Sequence, residues 1–255
     1  MTNLIRAEIF KLQRNQSFWV LLGTITGLSV LLHFLVIIEW WQLSGTEFDQ
    51  VGLSELNALT VFILPLFFNL IASALAGFYI STEFSQTSVI KNQIISGNKR
   101  SQIYLAKYLV FSVGAVIITV LVPLLTGIIM VILFGQGELL SFSQIIYLGR
   151  AFSLFTLQFL CFTSLVLLIA IITEDSGKTI LFTLLLSIIM FIIEKFVTTP
   201  FIQMLYENTF FYQLSEVFKA GMTNGDILKS IMIGVVWLII LTMFGLYLFK
   251  RKEIK

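Results

Sequence analysis

The sequence predicts an all-α integral membrane protein with six transmembrane helices. Three observations lead there. Of 255 residues, 58% are hydrophobic and only 12% charged, and mean hydropathy is +0.97, whereas soluble domains carry charge on about a quarter of their residues. The apolar residues fall into stretches near the roughly 20 residues that cross about 30 Å of hydrocarbon. The charged residues gather between those stretches, as they must where lipid cannot solvate them. A backbone in lipid has to satisfy its own hydrogen bonds, and uninterrupted stretches of this length do so as helices.

Taken in order, residues 1–16 come first. Leu4, Ile5, Ile9 and Leu12 share one side of a helix, with Arg6, Gln13 and Arg14 towards the other. This pattern reads as an amphipathic helix in the inner interface, the alternative being a basic flank that only fixes topology. The segment is too short and too charged for a cleavable signal, and no small-residue cleavage site follows the first span. Spans are expected at 17–38, 58–80, 108–134, 146–172, 180–193 and 227–249. The fifth is short, so it begins nearer Lys178 or continues past Glu194. Pro123 is expected to bend the third span. Gly23-x-x-x-Gly27 and Ser73-x-x-x-Gly77 allow close helix contact, either within one chain or between two. Residues 196–226 hold Phe201, Met204, Leu205, Phe210, Phe211 and Phe218, too apolar for a solvated loop. Short helices dipping into the outer interface are the reading there.

Cation placement predicts orientation. With both termini cytoplasmic (N-in, C-in), the inside holds Arg6, Lys11, Arg14, Lys91, Lys99, Arg100, Lys107, Lys178, Lys250, Arg251, Lys252 and Lys255. Arg150, Lys195, Lys219 and Lys229 are left outside. The acids lean outward, so the net charge of +2 conceals a polarised molecule and is no sign of nucleic-acid binding.

Chemistry-bearing motifs are sparse. Cys161 is the single cysteine and His33 the single histidine, so no disulfide or thiol–imidazole metal set is expected, and His33 reads as a structural hydrogen-bonding group. Gly177-Lys178-Thr179 has the end of a phosphate-binding loop, but Ile172 stands where that motif needs glycine. An intramembrane protease would need a serine elbow, a carboxylate pair within spans or a second histidine. Glu194 and Arg150 read as span boundaries or as residues facing a substrate path.

The 83–107 segment carries the most specific signal. It runs Glu83-Phe84-Ser85-Gln86-Thr87-Ser88-Val89-Ile90-Lys91, then Ile94-Ile95-Ser96-Gly97-Asn98-Lys99-Arg100, then Lys107. This order resembles the cytoplasmic loop of ABC-2 family transport permeases, with Gln86 where glycine is usual. The resemblance implies a coupling helix between spans two and three that docks in a groove of a separate ABC ATPase. Apolar side chains would fill that groove and charges would set the register. The residues expected to couple are Glu83, Thr87, Lys91, Ile94, Ile95 and Arg100, with Glu174 and Asp175 as a second contact; a solvated connector without a partner is the plain alternative.

The resemblance further implies one transmembrane domain over 1–255 and two ATPase subunits holding ATP and Mg, with no cofactor on this chain. It also implies a second permease chain, identical or homologous, meeting the first near spans one and five at Gly23 and Gly27. Short outer loops and aromatic make-up are similar to permeases that export amphipathic or antimicrobial-type peptides from the bacterial plasma membrane. ABC-2 permeases for drugs or lipids, and an ion-coupled secondary transporter, are the alternatives.

Overall fold

Pro65 divides what reads as one apolar stretch. Its ring disfavours helical backbone in the residue before it, and Leu64 is extended (ψ 132°). A short helix, Leu59–Ile63, therefore stops there. The second span begins with Pro65 in its first turn, where a missing N–H costs nothing. The computed structural model describes residues 1–85, 88–135, 141–196 and 199–252, and among these it is helical with no strand. Among the described residues, six helices are long and apolar enough to cross a membrane: Gln16–Ile37, Pro65–Phe84, Arg100–Phe134, Phe142–Thr173, Ser176–Phe196 and Asn224–Arg251. They are called spans one to six below.

All six expected spans are present, with shifted limits. Span two runs on through Glu83, and span three starts at Arg100 rather than near Tyr108. Both differences have one cause, since the charges that look like loop residues find partners inside the bundle. Span five extends at both ends of its apolar stretch, with Asp175 Oδ1 accepting from Lys178 N (2.8 Å) in its first turn. The turn from span four ends in a left-handed Glu174, φ 52°. The Gly177-Lys178-Thr179 tripeptide therefore lies in the first turns of span five, and Thr179 is buried.

Span four is the central helix and packs against spans two, three, five and six. Its Phe155, Phe159 and Phe162 surround Phe68 of span two at centroid distances of 5.2 to 5.8 Å, edge to face. Such rings bury large apolar areas in a favoured quadrupole geometry. Small residues set the closest approaches. A side chain at Gly77 would lie 3.1 Å from the Ser176 carbonyl, and the Ser176 hydroxyl donates to Gly77 O (2.7 Å). A Cβ at Gly127 would lie 2.5 Å from His33 Nε2, so span one meets span three only because that position is bare. The ring's Nδ1 faces Ser29 O at 2.8 Å, which fits the structural role expected of this histidine.

Spans two and three each contain a π-turn, Gly77–Ser81 and Ile117–Leu121. The second lies directly before Pro123, whose ring would clash with the carbonyl four residues back in a regular helix; the wider turn makes room. In the 196–226 segment the structure describes helices Pro200–Glu207 and Phe210–Glu216. The second buries Phe210, Phe211 and Leu214 against the bundle, while Phe201, Met204 and Leu205 of the first are exposed.

Candidate functional site

The N-terminal helix Thr2–Arg14 has a carboxylate on its apolar side. Leu4, Glu8 and Leu12, spaced at four residues, are its buried positions. A buried carboxylate requires compensation by charge and hydrogen bonds. Lys107 Nζ lies 3.3 Å from Glu8 Oε1, Lys11 Nζ 2.5 Å from the same oxygen, and Tyr79 OH donates to Glu8 Oε2 (2.9 Å). Gln93 Nε2 donates to Glu8 Oε1 (3.0 Å). Glu83 completes the cluster by pairing with Lys107 and, at 2.6 Å, with Lys11. Two ammonium groups thus face two carboxylates, and the Lys107 side chain is only 2% exposed.

Four segments converge on this cluster: the N-terminal helix, the end of span two, the beginning of span three and, through Gln93, the short helix Ser88–Ile95. Burial pushes the Glu8 carboxyl up, but Lys107 and Lys11 outweigh it and hold the group below the ordinary carboxylate value. Burial likewise draws the Lys11 ammonium down, and Glu83 with Glu8 more than reverses this. Glu8 and Lys11 are therefore both held in their charged forms across the neutral range.

A second set of contacts lies at the same end of the bundle. Arg100 donates to the Lys250 and Lys252 carbonyls, both at 2.7 Å, satisfying the open end of span six. Lys252 pairs with Glu174 at 2.6 Å, donates to Ile171 O, and sits 5.0 Å over the Phe84 ring. Phe84 in turn meets Phe249 edge to face at 5.9 Å. The Ser88–Ile95 helix therefore touches one set directly through Gln93, and the span-two end beside it contributes to both.

The residues expected to couple fall into three groups. Glu83, Arg100 and Glu174 have partners within the chain, and Asp175 caps span five. Lys91 and Ile95 point outward, Ile95 with 73% of its surface exposed, while Ile94 packs partly on the core beside the buried Ile90. Thr87 lies outside the described residues. The short helix ends in a left-handed Gly97 (φ 84°), a conformation glycine adopts without strain. Sequence reasoning missed Glu8, Lys11, Tyr79 and Gln93; Glu8 alone had a readable signal, a carboxylate on an otherwise leucine-bearing stripe.

Elsewhere, a Cβ at Gly23 or Gly27 would meet nothing within 4 Å, so the chain's own helices do not use that face. Span five presents Leu181, Leu185, Ile188 and Ile192 outward and keeps Thr183 and Ser187 inward on Asn69 of span two. At the opposite end of the bundle, Arg150 donates to Lys219 O (2.7 Å) and so holds the segment after Phe210–Glu216. Glu194 accepts from Tyr206 OH (3.0 Å), tying Pro200–Glu207 to the end of span five. Burial and then the Glu194 charge raise the Tyr206 hydroxyl above its ordinary range.

Six membrane-length helices, with the N-terminal helix, the end of span six and a short connecting helix at one end of the bundle, define a multi-pass membrane protein. The sequence matches the ABC-2 family transporter protein family over residues 4–194, and the chain belongs to that family. Among curated proteins, none matches the chain. It is a membrane transporter permease subunit of the ABC-2 type.

Proposed function

We propose that this chain is the permease half of an ATP-driven exporter and that the exposed side of Ser88–Ile95 is where a separate ABC ATPase pushes. One observation carries the reading. The helix carries an isoleucine on each side, with Ile90 buried against the bundle and Ile95 largely exposed beside Lys91. A solvated connector would have no use for an outward isoleucine, whereas a docked lever needs a buried side to transmit force and an open side to receive it. The two sets of contacts supply the transmission. Gln93 links the lever to the Glu8–Lys11–Glu83–Lys107 cluster, and through it to the N-terminal helix and spans two and three. Phe84 and Lys252 link the span-two end to spans four and six.

In this reading both termini are cytoplasmic, Thr2–Arg14 lies in the inner interface, and Pro200–Glu207 dips into the outer one. A second permease chain, identical or homologous, meets the open faces of spans one and five around Gly23 and Gly27. ATP and Mg are held by two ATPase subunits. The cargo is an amphipathic or antimicrobial-type peptide, and the membrane is the bacterial plasma membrane. Glu83 and Arg100 act as internal struts, and Glu174 with Lys252 serves as a brace rather than as a second docking contact.

Reconstitution tests this function. Proteoliposomes holding the permease and its ATPase should move a fluorescent cationic amphipathic peptide only when ATP is supplied. Transport driven by an ion gradient with no ATPase present would replace the exporter by a secondary transporter. ATP-dependent movement of lipid or drug without peptide would change the cargo alone.

A further inference from the structure

The N-terminal helix does not lie flush against the bundle along its whole width. Leu12 presses on Gly114, where a Cβ would be 2.9 Å from its methyl group, and Glu8 is drawn into the ion cluster. On the adjacent flank a cleft of about 610 Å³ opens between this helix and spans one and three. Ile5, Ile9, Trp19, Leu109 and Val113 line it, with Gln13 the single polar lining residue. The Gln13 carbonyl is occupied by the Trp19 indole N–H at 2.6 Å, so the lining offers its occupant an almost wholly apolar wall. Its floor is buried at Leu12, Phe18 and Val110, while Trp19 and Val113 are more than half exposed at the mouth. The cleft therefore opens onto the surface that faces lipid.

Charge identifies the occupant. Arg6 does not line the cleft, but it stands three and seven residues before the lining residues Ile9 and Gln13, so the helical repeat puts it on the flank next to them. It is exposed, and among the described residues it makes no ion pair. Lys11, by contrast, is committed to Glu8 and Glu83. An apolar slot of this size beside one uncommitted guanidinium matches a molecule with a long hydrocarbon tail and an anionic head. We propose that the cleft binds one acyl chain of an anionic phospholipid, with Arg6 against the head group. A bound chain would wedge the N-terminal helix at its distance from span three, so the lipid becomes a structural part of the element carrying Glu8. This inference rests on the membrane class of the chain and the interfacial placement of the helix, and is independent of the exporter reading.

The test uses the full-length protein in nanodiscs of zwitterionic lipid doped with a phosphatidylglycerol bearing a photoactivatable diazirine in one acyl chain. After illumination, adducts are mapped by peptide mass spectrometry. Adducts should concentrate in residues 5–19 and 109–117, and a phosphatidylcholine probe with the same chain should label them about fivefold less, the effect of one basic contact. Val113→Trp fills the mouth and should remove these adducts while leaving background labelling of span five unchanged, which shows that the variant is inserted; Leu109→Trp serves if it is not. Arg6→Glu should abolish the head-group preference. Labelling spread evenly over the exposed faces of spans one, three and five, or unmoved by a tryptophan in the cleft, would overturn the proposal. Equal labelling by the two probes would overturn the assignment of an anionic lipid.

Discussion

Lys107 is the residue whose loss should be felt most. Its ammonium is buried between Glu8 and Glu83, and removing one member of a buried ion pair costs roughly 3–5 kcal/mol because the remaining charge stays desolvated. Lys107→Met should therefore lower thermal stability in detergent sharply, and adding Glu8→Gln should recover much of the loss by restoring charge balance. The same cluster sets a pH window. Glu8 titrates below its ordinary 4.5, so its contribution is present above that value and is lost as pH falls through the depressed pKa. Lys11 titrates above its ordinary 10.5, so its contribution is present below that value and is lost as pH rises through the raised pKa. The distance between spin labels on the N-terminal helix and span three should thus be constant across the neutral range and lengthen at both extremes. Gly127 gives a steric counterpart. Gly127→Ala forces His33 aside and should cost about 1–3 kcal/mol in unfolding experiments, as overpacking does, while His33→Ala in the same chain should relieve the clash.

At the scale of elements, the six spans were legible because hydropathy fixes them, and their ends were misread because hydropathy is blind to pairing. Glu83 and Arg100 look like loop residues one at a time; each belongs to a helix because its charge or donors are satisfied across the bundle. Glu8 was legible only as an interruption of an apolar stripe, and apart from Lys11 its partners lie 71 to 99 residues away, a distance that no local pattern encodes. The small-residue motifs divide in the same way. Gly77 serves contact inside the chain, whereas Gly23 and Gly27 face open space, a distinction that spacing alone leaves undecided. Gly23→Leu and Gly27→Leu should therefore leave monomer stability unchanged. If that face meets a second chain, they should reduce cysteine crosslinking between spans one of two copies; undiminished crosslinking would move the interface elsewhere.

For the whole molecule, the family match over residues 4–194 and the six membrane-length helices agree on a transporter permease subunit. Beyond this, we propose that force enters through the outward side of Ser88–Ile95. Ile95 is the informative position, because Ile94 packs on the core and Arg100 holds the end of span six, so changes at either would damage the permease itself. The most direct measurement is affinity purification of the tagged chain from mild detergent, wild type beside Ile95→Asp, with mass spectrometry of the proteins recovered. An ABC ATPase should accompany the wild type and be lost from an Ile95→Asp protein that remains monodisperse. Recovery of the ATPase at equal yield from both, or from neither after crosslinking, would contradict it.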